Sequence, residues 1–134
     1  MAAESPARLR LTRAMRLRRQ SDFELIRQQG RRLTWGCLIL NFRTLPIGSG
    51  VRLGVVTSRR VGGAVVRSKA RRWLREVFRT HQHSLAKPVD MVLIARPSLA
   101  SRDYQGVEID FLAALRHVRL LNFPENPPKE IKVT

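Results

Sequence analysis

Residues 52–79 read R-L-G-V-V-T-S-R-R-V-G-G-A-V-V-R-S-K-A-R-R-W-L-R-E-V-F-R, which predicts an apolar strand, a glycine-bearing turn and a strongly basic helix. Nine of the chain's 26 lysine and arginine residues lie in this stretch, and Glu76 is its only acidic residue. A segment that both packs into a core and presents this much positive charge is expected to bind a polyanion.

The helix after Gly62 and Gly63 is amphipathic when its residues are placed about 100° apart on a wheel. Its apolar stripe consists of Val66, Ala70, Trp73 and Val77, with Leu74 and Phe78 beside it. Its cationic side consists of Arg71, Arg72, Arg75 and Arg79, flanked by Lys69, with Arg67 at the margin. Because like charges four residues apart destabilise a free helix, this side is better explained as a binding surface than as solvated decoration.

The composition limits the class of protein. A chain of 134 residues suits one domain with a modest core, and 43% hydrophobic residues argue against disorder throughout. The net charge of +16 predicts that the chain binds a nucleic acid, an anionic membrane or an acidic partner. The sequence contains no run of about 18 apolar residues, so no membrane-spanning segment is predicted. The single cysteine, Cys37, excludes an internal disulfide and fits a reducing cytoplasm.

The elements before the basic helix follow from local spacing. Ser21 and Glu24 are spaced as a capping box, which predicts a short helix from about residue 22 to residue 29, ended by Gly30. Residues 33–43 read as extended, with alternating apolar side chains at 38, 40 and 42. The strand at 51–58 follows so closely that we expect these two strands to form an antiparallel pair.

The elements after the basic helix complete the fold prediction. Residues 89–95 are apolar on both faces apart from Asp90, which suits a buried central strand. Residues 104–118 predict a second long amphipathic helix. The order α-β-β-β-α-β-α predicts an α+β two-layer sandwich, with both long helices on one sheet face and the other face available for a ligand. We expect residues 1–15 to form a flexible basic arm, 16–121 the domain and 122–134 a C-terminal tail.

The sequence predicts no catalytic residue and no metal site in this chain. His81, His83 and His117 have no cysteine or carboxylate at metal-ligand spacing. The acids Asp103, Glu108 and Asp110 cluster at the start of a helix, where negative charge favours the positive end of the helix dipole.

The stretch at 52–79 closely resembles the signature of the bacterial ribonuclease P protein subunit. In that family a strand ending near Ser-Lys-Lys leads through a glycine turn into an Arg-Asn-Arg helix. Two flanks extend the resemblance to about residues 16–121. Residues 16–23 look like the start of the family's first helix, and residues 89–96 look like its last strand.

The resemblance implies an α+β fold shared with some ribosomal proteins, with a left-handed strand–helix–strand crossover around the basic helix. It implies the protein subunit of a ribonucleoprotein endonuclease that removes the 5′ leader of precursor tRNA. The active site and its Mg²⁺ ions are then expected in the catalytic RNA subunit. One protein per RNA subunit is expected, in the cytoplasm.

Site residues are carried over by position in the family's motifs. The expected RNA-subunit contacts are Arg67, Ser68, Lys69, Arg71, Arg72 and Arg75. The expected contacts with the precursor-tRNA leader are Phe23, Arg27, Leu40, Phe42, Ser58, Arg59 and Arg60.

Four positions depart from the family's pattern. Ser68 and Lys69 stand where asparagine and arginine are usual, so the amide and the bidentate guanidinium fork are lost. Arg27 and Asn41 replace common aromatic residues. We therefore expect leader binding here to rely more on charge than on base stacking.

Two other classes of protein fit the charge. A non-enzymatic ribosomal or ribosome-assembly protein would show the same amphipathic basic helix. A DNA-binding protein could place that helix in the major groove, although no helix-turn-helix spacing or dimerising heptad supports this.

Overall fold

The computed structural model describes residues 10–121 and confirms the predicted order of helices and strands. The elements are α1 (Gln20–Gln29), β1 (Arg31–Trp35), β2 (Leu38–Thr44), β3 (Arg52–Val56), α2 (Ala64–His81), β4 (Val89–Ala95) and α3 (Tyr104–His117). Residues 1–9 of the predicted arm and the whole predicted tail, 122–134, lie outside the described residues.

The four strands form one sheet in the order β1-β2-β4-β3. β2 pairs antiparallel with both β1 and β4, whereas β3 pairs parallel with β4. The expected antiparallel pairing of β2 with β3 is therefore wrong. β4, which is apolar on both faces apart from Asp90, takes the buried position between β2 and β3. The helix α2 is thus a crossover between parallel neighbours, whose left-handed sense stays a prediction.

Both long helices pack on one face of the sheet and enclose the main core, as predicted. The four α2 side chains in this core are Ala70, Leu74, Val77 and Phe78, each 0% exposed. Val66 and Trp73 only pack at its margin. The buried stripe is therefore rotated from its predicted position toward Leu74 and Phe78, and the same rotation tilts the side at 67, 71 and 75 toward β3.

The first helix packs on the other face of the sheet. Ile26 is fully buried against Leu17 and Val92, and Phe23 packs beside them. Gly54 of β3 makes this possible, because a Cβ atom there would lie 2.6 Å from Cε1 of Phe23. A small second core thus fixes α1 over part of this face and leaves the remainder open.

The ends of α1 differ from the prediction. The helix begins two residues earlier than a Ser21 cap would allow, with Arg19 at the N-cap and no capping side chain. The capping-box prediction is therefore wrong. Gly30 does end the helix, but its φ of −95° is open to any residue. A glycine fits there because a Cβ atom would lie 2.3 Å from the carbonyl oxygen of Phe42.

The described part of the predicted arm is ordered against the domain. Leu11 and Met15 pack on the main core, and the Leu17 amide donates a 2.8 Å hydrogen bond to the Leu53 carbonyl. This contact places the segment along β3. The flexible arm predicted for 1–15 is therefore wrong for residues 10–15, whose apolar side chains anchor it.

Candidate RNA-binding surfaces

The outer side of α2 presents cations from an anchored helix. Arg72 and Ser68 are exposed, whereas Arg71 is half-buried. Arg71 donates one hydrogen bond to Thr57 Oγ1 at 2.8 Å and another to Ser68 Oγ at 3.2 Å. The guanidinium of Arg71 is thereby held between the helix and the end of β3, so less side-chain entropy remains to be lost when it binds a ligand.

Three guanidinium groups influence one another beside β3. Burial lowers the pKa of Arg75, and the positive charges of Arg16 and Arg71 lower it further. Arginine nevertheless stays protonated in proteins, so the repulsion persists in the free protein. An anion among these three side chains would relieve it. The resemblance assigned no role to Arg16, and only the fold brings it to α2.

The other flank of α2 combines a cation with aromatic rings. Lys69 Nζ lies 4.8 Å from the centroid of the Trp73 ring, and Trp73 meets Tyr104 edge-on at 5.9 Å. On the side shared with Arg71 and Arg75, Arg67 is half-buried, and its Nε has no hydrogen-bond partner within residues 10–121. Arg79 forms an ion pair with Glu76 at 2.6 Å, so its charge is partly neutralised.

The open part of the second sheet face forms an apolar floor. Ile39 of β2 and Ile94 of β4 are half-buried, and Val56 at the end of β3 is 37% exposed. On α1, Phe23 packs on the same second core as Ile94, and Arg27 follows about one turn later. Arg27 is exposed and lies 3.9 Å from Glu24, too loose a pair to hold its side chain away from a ligand.

Two of the expected leader contacts do not reach this surface. Leu40 and Phe42 are 0% and 2% exposed and belong to the main core under α2 and α3. Side chains alternate between the faces of a strand, so the β2 residues on the second sheet face are Ile39 and Asn41. Asn41 is buried there, where its side-chain amide donates to the carbonyl oxygens of Ile26 and Arg31. The expectation that Leu40 and Phe42 contact the leader is therefore wrong, and Ile39 is the apolar β2 residue that this face leaves accessible.

The turn between β3 and α2 supplies a polar edge. Ser58 Oγ accepts a 3.3 Å hydrogen bond from the Arg60 amide and so caps the short 3₁₀ turn Arg59–Val61. Ser58, Arg59 and Arg60 are all exposed. Gly62 then continues at a φ of 150°, which favours glycine over other residues. The turn therefore lies between the two surfaces, with its cations facing solvent.

A buried ion network underlies the other end of the open face. Asp90 is fully buried and accepts hydrogen bonds from Arg52 at 2.9 and 3.0 Å and from Arg43 at 3.0 Å. Burial alone would raise the pKa of Asp90, but the bonds from Arg52 and Arg43 outweigh it and lower the pKa. In the sequence, Asp90 stood out only as the polar exception in an apolar strand. Its partners Arg43 and Arg52 lie on β2 and β3, both far from Asp90 in sequence.

Within residues 10–121 no three histidine, cysteine or acidic side chains come together as a metal site would require. His81 Nε2 lies 2.7 Å from Glu108 Oε2, so these two side chains are hydrogen-bonded to each other. Burial, helped by Asp110, raises the pKa of the Cys37 thiol to about 11.

No helix in the described range has the length and apolarity that crossing a bilayer demands.

The family model described as Ribonuclease P matches residues 11–119, nearly all of the described chain. The chain belongs to the ribonuclease P protein family. The Ribonuclease P protein component of Chloroflexus aurantiacus is 41% identical over 122 residues, which span 87% of this chain and 86% of that protein. The recognition made from residues 52–79 is confirmed.

Solved structures of the ribonuclease P family share the fold. The RNase P protein from Thermotoga maritima superimposes with a TM-score of 0.67 at 34% identity, covering 76% of this chain and 96% of that chain. The Staphylococcus aureus RNase P protein gives a TM-score of 0.74 over 82% of this chain and all of that one, and at 24% identity this shows the fold alone.

Membership of the ribonuclease P family fixes the general role. The chain is a protein component of the ribonucleoprotein that processes the 5′ end of tRNA, and its partner is an RNA subunit. The alternatives of a ribosome-assembly protein and a major-groove DNA-binding protein are set aside by the family match over residues 11–119.

Proposed function

We propose that the cationic side of α2 binds the RNA subunit of ribonuclease P and that the open sheet face holds the 5′ leader of precursor tRNA. In this proposal one protein binds one RNA subunit in the cytoplasm. The RNA subunit holds the Mg²⁺ ions and the active site, and the protein steadies the RNA and positions the leader.

The observation that carries the proposal is the division of α2 into a buried and a cationic side. Ala70, Leu74 and Phe78 are fully buried in the core, so the helix cannot turn its cations inward. Arg71 is held by Thr57, and Arg75 lies near two other guanidinium groups. A phosphate backbone offers the negative charge that this rigid row of cations lacks.

The leader is assigned to the open sheet face because that face is apolar and bordered by cations. A single strand with unstacked bases can place a base against Phe23 or over Ile39 and Ile94. Arg27 on one border and Arg59 and Arg60 on the other can then contact its phosphates. With only one aromatic ring on α1, charge should supply more of the leader affinity than stacking.

Reconstitution tests the proposal directly. The protein is mixed with its cognate RNA subunit and a precursor tRNA at a magnesium concentration at which the RNA alone cleaves poorly. We expect a large increase in the rate of leader release, because the protein's cations replace screening that magnesium otherwise provides. A rate equal to that of the RNA alone would contradict the proposed role.

Stoichiometry and leader contact need separate measurements. Analytical ultracentrifugation of the protein with the RNA subunit should give one protein per RNA at saturation. Affinity of the complex should be higher for precursor tRNA than for mature tRNA. Equal affinity for the two would contradict the leader assignment while leaving RNA-subunit binding intact.

A further inference from the structure

The segment that precedes α1 surrounds a concavity with arginines. This arginine pocket has a volume of about 260 Å³. Its lining consists of Arg13, Ala14, Arg16, Arg18, Arg19, Asp22 and Arg52. Five guanidinium groups and one carboxylate leave a net charge of about +4, and no aromatic ring is present. Such a lining suits phosphate oxygens rather than a nucleobase.

The one acidic group of the arginine pocket is already engaged. Asp22 Oδ2 lies 3.7 Å from Arg52 NH1, and Arg52 is also bonded to the buried Asp90. Within residues 10–121 the four arginines of the segment, Arg13, Arg16, Arg18 and Arg19, have no ion-pair partner. Their charge is therefore left for a ligand to neutralise.

The backbone that carries these arginines is fixed. Leu17 is 5% exposed and packs against Ile26 and Val92, and its amide is bonded to Leu53 of β3. Met15 packs against the main core. The arginines on either side of Leu17 therefore project from an anchored segment rather than from a loose tail, which lowers the entropy lost when they bind.

The arginine pocket is continuous with the cationic side of α2. A second concavity of about 230 Å³ shares Arg16 and Arg18 with the pocket and has Arg75 of α2 in its lining. Arg16 is also close enough to Arg75 to lower its pKa. Cations thus run without interruption from Arg71 and Arg75, past Arg16, to the first turn of α1.

We propose that the arginine pocket binds the phosphodiester backbone of an RNA strand that continues from the cationic side of α2. A backbone carries one charge per nucleotide, so the net charge of the pocket matches about four phosphates. The inference rests on the proposed function, because that function assigns the α2 side to RNA. The strand can come from the RNA subunit or from the precursor leader, since both present the same backbone chemistry.

The test compares two variants that each lose three positive charges. Arg13→Gln/Arg18→Gln/Arg19→Gln removes three exposed cations of the pocket. Lys87→Gln/Arg116→Gln/Arg119→Gln, the control, removes three exposed cations that line neither concavity. Circular dichroism verifies that both variants fold. Affinity for the RNA subunit is measured from 0.1 to 0.4 M salt, and affinity of the assembled complex is measured for precursor and mature tRNA.

We expect the pocket variant to bind the RNA subunit about tenfold more weakly than the control, with a salt slope smaller by about 2 to 3. If the strand is the leader, the pocket variant instead loses affinity for precursor tRNA alone. Pocket and control variants that agree in both measurements would overturn the inference. Failure of the wild-type protein to bind the RNA subunit at all would instead overturn the proposed function.

Discussion

Asp90 and Arg52 lie side by side on neighbouring parallel strands, and their side chains form two hydrogen bonds of 2.9 and 3.0 Å. Arg43, opposite Asp90 on the antiparallel neighbour β2, donates a third at 3.0 Å. Arg52 also reaches Asp22 of α1. One buried carboxylate therefore ties three strands and the first helix together, beneath the surface assigned to RNA.

Asp90→Asn should strongly destabilise the fold. The substitution keeps the size of the side chain but removes the charge that accepts three hydrogen bonds from the partly exposed Arg43 and Arg52, and a hydrogen bond to a charged group is worth about 1.5–3 kcal/mol. The free energy of unfolding is measured by urea titration. Glu24→Gln, the control, removes the exposed carboxylate 3.9 Å from Arg27 and should change it by less than about 1 kcal/mol. Equal losses in the two variants would contradict the structural role of Asp90.

The same carboxylate should make stability fall in acid. The pKa of Asp90 is below its ordinary value of 3.8 in the folded protein, so its contribution is fully present above that value. It is lost as pH falls from that value through the lower folded pKa. Asp110 behaves alike, because bonds from the Cys37 amide and Arg102 outweigh its burial and lower its pKa. The unfolding free energy should therefore fall less steeply below pH 4 in Asp90→Asn than in the wild type. Parallel curves would count against this linkage.

The α2 surface should contribute to RNA binding through counterion release. Arg71→Ala/Arg75→Ala should reduce the salt slope of RNA-subunit binding by up to about 2, because two phosphate contacts are removed. The control is Arg116→Ala/Arg119→Ala, which should leave the slope unchanged. Both positions are exposed, Arg116 at the end of α3 and Arg119 just after it. Because Arg71 is bonded to Thr57, unfolding is monitored in parallel. An unaltered slope in a folded variant would move the RNA contact away from this side of α2.

Much of this molecule could be predicted from sequence, and the errors share a physical cause. The elements with strong periodicity, α2, β4 and α3, were placed correctly because burial of one face fixes their pattern. The predicted β2–β3 pairing was wrong because β4 lies between these two strands in the sheet. β4 comes later in the chain, so the proximity of β2 and β3 in sequence does not reveal it. Local spacing also could not show that Arg19, rather than Ser21, precedes α1.

The candidate site was predictable to the extent that it lies on one element. The α2 cations follow from a wheel, but Arg16 joins them only through the contact of Leu17 with β3. On β2, alternation gave two possible faces, and the resemblance did not say which one lies under the long helices. Leu40 and Phe42 were therefore assigned to the leader although both are buried in the core, and Ile39 was not singled out.

Ile39→Glu should weaken leader binding selectively. The side chain is half-buried on the open face, so a carboxylate can still reach water there without unfolding the sheet. The negative charge of the glutamate would repel the leader's phosphates. The loss of the isoleucine side chain would also remove an apolar contact for a base. We expect precursor tRNA to bind at least about tenfold more weakly, with mature tRNA unaffected. The matched control is Ile109→Glu on α3, where the side chain is 62% exposed and far from this face. A similar loss in both variants would indicate a general charge effect instead.

Phe23→Leu separates stacking from packing on the same surface. Leucine keeps an apolar side chain against Leu17 and Ile26, so the second core and the position of α1 should persist. It cannot stack on a base, and such stacking is worth about 1–3 kcal/mol. Affinity for precursor tRNA should therefore fall about fivefold or more while affinity for mature tRNA and for the RNA subunit stays constant. Unchanged precursor affinity, with thermal stability reduced, would return Phe23 to a packing role and leave charge as the main source of leader affinity.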